Sequence, residues 1–501
     1  VAHRAFWVGR SAFGQIFRVG NMTGKSDVVT LVVPFSVNWP SVLSRSTLEL
    51  NMSSQIPKNS PVAPATPAAT PEKLRIALLT YRGKPHCGGQ GVYIRHLSKA
   101  LVDLGHHVEV FSGQPYPNVI DAVELHELES LDIYNDAFPG RRPAFWEIND
   151  LPDWLEKTQF TFGTFSEPMA FSLRAYRALK ERTNDFDIVQ DNQTLGYGIL
   201  GIERLGLPVL GTIHHPITVD RKLEIDAAKT LMAQIGKRRW YSFTKMQTRV
   251  AKRLKRIITV SENSFKDIVN DHKVDPDRMV VVPVGVDPDL FKPDPSVTRK
   301  VGQILTTASA DVTLKGLPYL LEAVAKLRTE RQVNLVIIGK LKEGGETEAT
   351  IERLGLANSL TWVSGVTDER IVELYNESEV AVVPSLYEGF SLPAIEAMST
   401  GIPLVATTGG ALPEVVGPHN ETALVVEPGN SDALAAQIGI ALDDPQLRAR
   451  IGAAGRERVI NKWSWRHTAI ETVKQYRIVL EMHAAEQAAK AAAASQDPQA
   501  N

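Results

Sequence analysis

Short apolar runs of strand length alternate with segments of helical periodicity along most of this 501-residue chain, and the alternation passes through two full cycles. Leu74-Arg-Ile-Ala-Leu-Leu-Thr80 has the composition of a buried strand. After a loop, residues 92–102 place their apolar side chains at helical spacing, and His107-Val-Glu-Val-Phe111 is a second strand. Further strand-like runs follow at 186–190, 208–213 and 256–260. A second cycle begins after Val281-Val-Pro283-Val-Gly285-Val-Asp287, with strands at 304–307, 333–338, 360–363, 380–383 and 403–406. Strands that alternate with helices imply a parallel, doubly wound α/β sheet. At roughly 150 residues per domain the length calls for two such domains plus tails.

Composition narrows the functional classes. Hydrophobic residues make up 43% and charged residues 22% of the chain, as in a soluble globular protein, and a net charge of −2 gives no case for nucleic acid. The one cysteine, Cys87, excludes an internal disulfide and a multi-cysteine zinc site and fits a reducing cytoplasm. No apolar run reaches the ~18–20 residues that a membrane-spanning helix needs. The stretch 28–37 is short, contains Pro34 and lacks a small-residue cleavage site, so it does not read as a signal peptide. Residues 57–71 are too rich in Pro, Ala and Thr to pack and read as an extended linker. Residues 1–73 are therefore expected to be a disordered, Pro-rich extension. Met52 opens the tail into that linker, and residues 1–51 are expected to lie outside the working protein.

The chemistry concentrates in Ser385-Leu-Tyr-Glu388-Gly389-Phe390-Ser391-Leu392-Pro393-Ala-Ile-Glu396. A buried strand at 380–383 precedes it, and Pro393 followed by helix formers marks a helix start. The turn thus sits at a strand's C-terminal end, where open α/β sheets bind ligands. The N–H groups of Gly389, Phe390 and Ser391, opening onto a helix N-terminus, form a cradle for phosphate or sugar hydroxyls. Glu388 stands at the mouth of this turn and Glu396 deeper, on the helix. Two carboxylates at a helix start are common on solvated surfaces as well, where the macrodipole favours them.

At these residues, and at the following Gly401-Ile-Pro403-Leu-Val405-Ala406 strand, the chain resembles the retaining GT4-type glycosyltransferases, with their Glu-x7-Glu signature. The resemblance spans about 74–476 and implies the GT-B architecture: two Rossmann-like doubly wound domains facing a central cleft, with a C-terminal helix crossing back. Residues 74–285 are then the acceptor domain, 286–462 the nucleotide-sugar domain, 463–482 the crossover helix and 483–501 an Ala-rich tail. The resemblance implies that Glu396 binds the ribose and Glu388 lies beside the donor sugar, with Gly389, Phe390, Ser391 and Leu392 along the donor. It places the Gly88-Gly89 pair near the donor diphosphate, although glycines in such a loop serve simple turns equally well. It makes His214, at the end of a strand, the sugar-side or substrate-orienting histidine, with His215 as its competitor. Lys315, in Lys315-Gly316, becomes the cation that neutralises the leaving phosphate. Here the sequence departs from the family: no Arg occurs between Leu305 and Lys315, and Ser309 or Ala310 occupies the usual Arg region.

The function implied is retaining transfer of a hexose-type sugar from a nucleotide diphosphate sugar to a lipid, glycan or small-molecule hydroxyl. A catalytically degenerate sugar- or nucleotide-binding protein and a nucleotide-sugar epimerase are the alternatives. No metal or other cofactor is expected: Asp287-Pro-Asp289 and Asp275-Pro-Asp277 imitate an Asp-x-Asp metal motif but lack convergent ligands. Residues 237–256 carry many cations and no acids with apolar residues near one helical face. That is either a core-packed helix with a solvated basic face or an amphipathic helix able to lie on an anionic membrane, which would make a cytoplasmic protein peripheral to it.

Overall fold

The computed structural model describes residues 4–11, 14–21, 29–33, 72–84, 89–135 and 140–495. The chain divides into two units between Thr66 and Pro67. In the first unit, β1 (Arg4–Ser11), β2 (Gly14–Asn21) and β3 (Val29–Val33) form an antiparallel sheet in the order β1-β2-β3. These three segments fall within the N-terminal extension 1–73. β-branched and aromatic residues are dense in all three, and the register sets Phe6 against Val19 and Val8 against Phe17. The Pro-rich linker at 57–71 lies outside the described residues.

The second unit contains two parallel sheets. The first comprises β4 (Arg75–Thr80), β5 (His107–Ser112), β6 (Glu124–Glu127), β7 (Ile188–Asn192), β8 (Val209–Ile213), β9 (Ile257–Thr259) and β10 (Met279–Val281), in the order β10-β9-β8-β7-β4-β5-β6. The second comprises β11 (Gln303–Thr307), β12 (Asn334–Ile338), β13 (Leu360–Val363), β14 (Val380–Val383), β15 (Leu404–Thr407) and β16 (Leu424–Val426), in the order β13-β12-β11-β14-β15-β16. Both are doubly wound. Strand order reverses between β4 and β7 in one sheet and between β11 and β14 in the other, and each reversal opens a crevice at the strands' C-terminal ends.

Helices cover both faces, which is why the strands read as continuous apolar runs. On β4, Ile76 and Leu78 belong to one apolar cluster and Ala77 and Leu79 to another, and none of the four is exposed. Successive side chains of a strand point to opposite faces, so both faces of this sheet are core. β6, β10 and β16 escaped the sequence reading because they are three or four residues long at sheet edges, and β6 carries Glu-Leu-His-Glu rather than an apolar run.

The chain passes between the domains twice, and the crossings touch. Val286 bridges to Ser464, and a Cβ on Gly285 would lie 2.2 Å from the Ser464 carbonyl carbon, so no larger residue fits there. The helix Trp465–Ser495 then returns to the first domain. Trp465 stacks on His96, and the Tyr476 hydroxyl donates to Gln190 Oε1, whose amide in turn donates to Tyr93 and Thr212. Lys255 pairs with Glu486 at 2.6 Å. The helix continues through the Ala-rich segment to Ser495, because that segment is a strong helix former.

The basic segment 237–256 is not one helix. It spans the end of helix Leu231–Trp240, a 3-10 turn at Tyr241–Phe243 and helix Thr244–Ala251. Phe243, Met246, Val250 and Leu254 are buried, and the Trp240 ring packs against Tyr134 and Phe165. The apolar face of this segment therefore packs into the core, as the first of the two alternatives had it. No helix among the described residues is long and apolar enough to cross a membrane.

Candidate active site

The crevice of the second sheet is built from the loops after β11 and β14. The first ends in the 3-10 turn Thr313–Lys315 and then Gly316, which starts helix Leu317–Leu327 in the left-handed region at φ +63°. A Cβ there would fall 2.0 Å from the Pro384 carbonyl oxygen, so glycine is required both by conformation and by contact with the second loop. The Leu386 N–H donates to the Leu314 carbonyl at 2.7 Å, fastening the loops together. Across this junction Lys315 Nζ lies 2.8 Å from Glu388 Oε1, and the Ser385 hydroxyl donates to the same oxygen at 2.7 Å. Lys315 remains about one-third exposed, and such a pair contributes only ~0–1 kcal/mol to stability, so its value is a charge arrangement facing the crevice.

The first domain closes over this loop. Ser261 and Ser264 hydroxyls donate to the Gly389 carbonyl at 2.6 and 3.1 Å, and Ser264 also bonds the His214 carbonyl at 2.8 Å. A Cβ at Gly389 would meet the His214 carbonyl oxygen at 2.7 Å and the His215 Cβ at 3.1 Å. Glu414 accepts from the N–H groups of Glu262 and Asn263 at 3.2 Å each, capping helix Glu262–His272 from the other domain. The Tyr387 hydroxyl donates to Asp267 at 2.7 Å.

The two histidines after β8 differ in state. His214 places Nε2 2.7 Å from Asn192 Oδ1 and packs edge-on against Tyr93. Burial, and secondarily His215, push its pKa down to about 3, so it is a neutral donor. His215 places Nε2 2.9 Å from Asp220 Oδ2 on helix Ile217–Asp226. Burial alone would lower its pKa, but the charges of Asp220 and Glu388 outweigh that and Lys315's opposition, and hold it above the usual value.

Glu396, on helix Leu392–Ser399, is partly buried, and its carboxyl has no hydrogen-bond partner among the described residues. Burial, then Asp368, push its pKa up to about 7 against the opposing pull of Arg95. Arg95, from helix Gly89–Asp103 of the first domain, is paired with Asp368 at the start of helix Asp368–Glu377 of the second, so this carboxyl faces an ion pair that spans the cleft. Ser391, the residue before the helix, sits at φ +95° with its hydroxyl enclosed and unpartnered. Backbone strain and an orphan hydroxyl at a helix N-terminus mark a place shaped for a ligand's polar groups.

Lys315, Glu388, Gly389, Phe390, Ser391, Leu392, Glu396 and His214 are thus gathered around one crevice, through contacts or shared elements. Ser309 is exposed just after β11, with no hydrogen-bonding partner among the described residues. Gly89 opens helix Gly89–Asp103, whereas Gly88 and Cys87 lie outside the described residues. Asp287 and Asp275 use their carboxylates to accept N–H groups of their own turns, from Asp289 and Asp277 respectively. Elsewhere Glu109, Glu124 and His126 bring ligand-type atoms within 4.8 Å of one another at the β5–β6 edge, but Arg182 already occupies both Glu109 oxygens. Sequence reading missed Asp220, Asp368, Ser261 and Ser264. Ser261 alone carried a local signal, as a Ser immediately before a helical run.

Residues 87–290 match the family described as Glycosyltransferase Family 4, and residues 293–458 match Glycosyl transferases group 1. The chain is 50% identical over 407 residues to an MMP alpha-(1->4)-mannosyltransferase of Mycolicibacterium hassiacum, a match covering 80% of this chain and 98% of that protein. It is 26% identical over 453 residues to a D-inositol 3-phosphate glycosyltransferase of Segniliparus rotundus, covering 85% and 93%. In fold it is similar to the sucrose-phosphate synthase of Thermosynechococcus elongatus, with a TM-score of 0.64 at 23% identity over 82% of this chain and 100% of that one. With both family matches adjoining and the catalytic-type loops at the second switch point, this chain belongs to the group 1, or GT4, glycosyltransferases and has their GT-B architecture.

Proposed function

We propose that the chain transfers a mannosyl residue, with retention, from a nucleotide diphosphate mannose to a glycan hydroxyl, forming an α-(1→4) linkage. The observation that carries this reading is the 50% identity to the mannosyltransferase across 98% of its length. Residues 286–462 hold the donor and 74–285 the acceptor. Glu396, an unpartnered carboxyl beside the crevice, accepts the ribose hydroxyls. Lys315 and the N–H groups of Gly389 to Ser391 receive the charge that develops on the leaving diphosphate, so no metal is needed for that role. Glu388, held by Lys315 and Ser385, orients the sugar hydroxyls, and neutral His214, whose Nε2–H is given to Asn192, accepts a sugar hydroxyl at Nδ1 on the sugar's other side.

The sugar–phosphate bond breaks first, and a diphosphate oxygen takes the acceptor's proton as the new bond forms on the same face, so no enzyme nucleophile is involved. The test is incubation with GDP-, UDP- and ADP-mannose and an α-(1→4)-linked mannooligosaccharide, with the new anomeric centre read by NMR. An α-(1→4)-linked mannosyl product from one donor is expected. Failure of all three donors, or a β-configured product, would overturn the proposal.

A further inference from the structure

Every cation that the motif readings brought to the crevice is already committed. Lys315 is paired with Glu388 and His215 with Asp220, while Arg95 is paired with Asp368. Each pair is close to neutral as a unit, and Ser309 stands where the resemblance would place an arginine. A diphosphate brings about two negative charges into this low-dielectric cleft, where uncompensated charge is costly. Beyond Lys315 and the backbone N–H groups, an additional positive group would complete the compensation of that charge at the donor.

Arg221 answers that requirement. It lies at the middle of helix Ile217–Asp226, which follows directly from His214-His215-Pro216 and packs against the turn Thr313–Lys315. Its neighbours on the helix are engaged: Asp220 with His215, Thr218 with Asp271 and Glu224 with Lys237. Arg221 makes no hydrogen bond or ion pair among the described residues, and its Nε is enclosed. A guanidinium brought partly out of water without a partner is unfavourable unless a ligand completes it, and its planar fork matches phosphate oxygens in bidentate geometry.

We propose that Arg221 contacts the donor's diphosphate from the first domain, replacing across the cleft the arginine that Ser309 does not provide in the second. Because the arginine arrives on the other domain, donor binding would join the two domains. This rests on the donor reading given above.

The experiment is calorimetric titration of GDP, UDP and ADP, and of the three corresponding nucleosides, into the full chain and into Arg221→Gln, Arg221→Lys and Arg221→Gln/Ser309→Arg. Arg221→Gln should weaken the preferred nucleoside diphosphate about 30-fold, the loss of one charge-assisted contact, and leave its nucleoside within about twofold. The lysine variant should lose less, and the added arginine at 309 should recover part of the loss. Unchanged diphosphate affinity in Arg221→Gln, or an equal loss for the nucleoside, overturns the proposal. So does a raised KM for the acceptor with diphosphate affinity intact. If the unaltered chain binds none of the three diphosphates, the donor reading itself fails, and the proposal with it. Should Arg221→Gln not fold, Arg221→Lys alone must still separate diphosphate from nucleoside.

Discussion

Lowering the pH from 8 to 6 should weaken binding of the nucleotide sugar about tenfold through Glu396 alone. The free protein holds this carboxyl at a pKa of about 7, raised by burial and by Asp368. Ribose hydroxyls donate best to the ionised form, so binding selects carboxylate. With a free-state pKa near 7 the ionised fraction falls from about nine-tenths at pH 8 to about one-tenth at pH 6, a difference of about 1.4 kcal/mol in binding free energy. Binding at pH 6 should accordingly release close to one proton. Calorimetry in two buffers of different ionisation enthalpy measures both quantities, and a nucleotide sugar serves better than a free diphosphate because its phosphates do not titrate in this range. Glu396→Gln should bind about 10–100-fold more weakly at pH 8 and show no pH slope. An affinity independent of pH between 6 and 8, or the same slope in the Gln variant, would refute the reasoning.

The same carboxyl sets a stability prediction with the opposite sign for the mutant. Its folded pKa exceeds the unfolded value of 4.5, so the folded state is penalised as pH rises through that interval, fully above about 7. Glu396→Gln should raise the melting temperature at pH 8, by an effect on the order of 3 kcal/mol, and leave it nearly unchanged at pH 4.5. Lys315→Gln should lower kcat about 100–1,000-fold while nucleoside affinity stays constant, since its contribution falls on developing phosphate charge; an unaltered kcat would remove it from the mechanism. Gly389→Ala should push the domains apart, because its Cβ has only 2.7 Å to the His214 carbonyl; a larger radius of gyration and reduced kcat/KM are expected, and unchanged scattering would contradict the packing. Tyr476→Phe leaves the Gln190 carbonyl unpartnered in a buried network and should destabilise by about 1–3 kcal/mol, whereas removing residues 483–501 with the half-exposed Lys255–Glu486 pair should cost about 1 kcal/mol or less, both read by thermal melting.

What the chain disclosed in advance follows the range of the forces involved. β4 and β8 were legible because both faces of a parallel sheet are buried, so their runs are mostly apolar, β7 was legible by its first residues Ile188 and Val189, and the turn at 385–391 because its glycine and helix start are adjacent in sequence. The break between helices Leu231–Trp240 and Thr244–Ala251 was not legible. It is set by Tyr134 and Phe165, whose rings meet Trp240 from about 100 and 75 residues away. The choice between His214 and His215 also lay beyond the sequence. Asn192 and Asp220 fix the two rings in different protonation states, and those partners are identified only once β7, β8 and the following helix are assembled.

The least legible property is also the one with the widest functional reach. Gly389 belongs to the loop that carries Glu388, yet its carbonyl receives two hydroxyls from the first domain, Ser261 and Ser264, and a neighbouring loop of the second domain places Glu414 on the start of the same first-domain helix. The first domain therefore holds the second by the backbone of the Glu388–Ser391 loop itself. Anything that orders residues 388–391, a bound diphosphate included, strengthens the surface to which the first domain attaches. By linkage, closure then favours donor binding by the same factor. His214 is held within the first domain by Asn192, Gln193 and Ser264, and Ser264 also reaches the Gly389 carbonyl, so the junction between the domains runs through a group that His214 already shares. An opened molecule would keep both sheets and the Lys315–Glu388 pair, which are internal to single domains, and would lose the His214–Gly389 junction that assembles the two halves of the crevice.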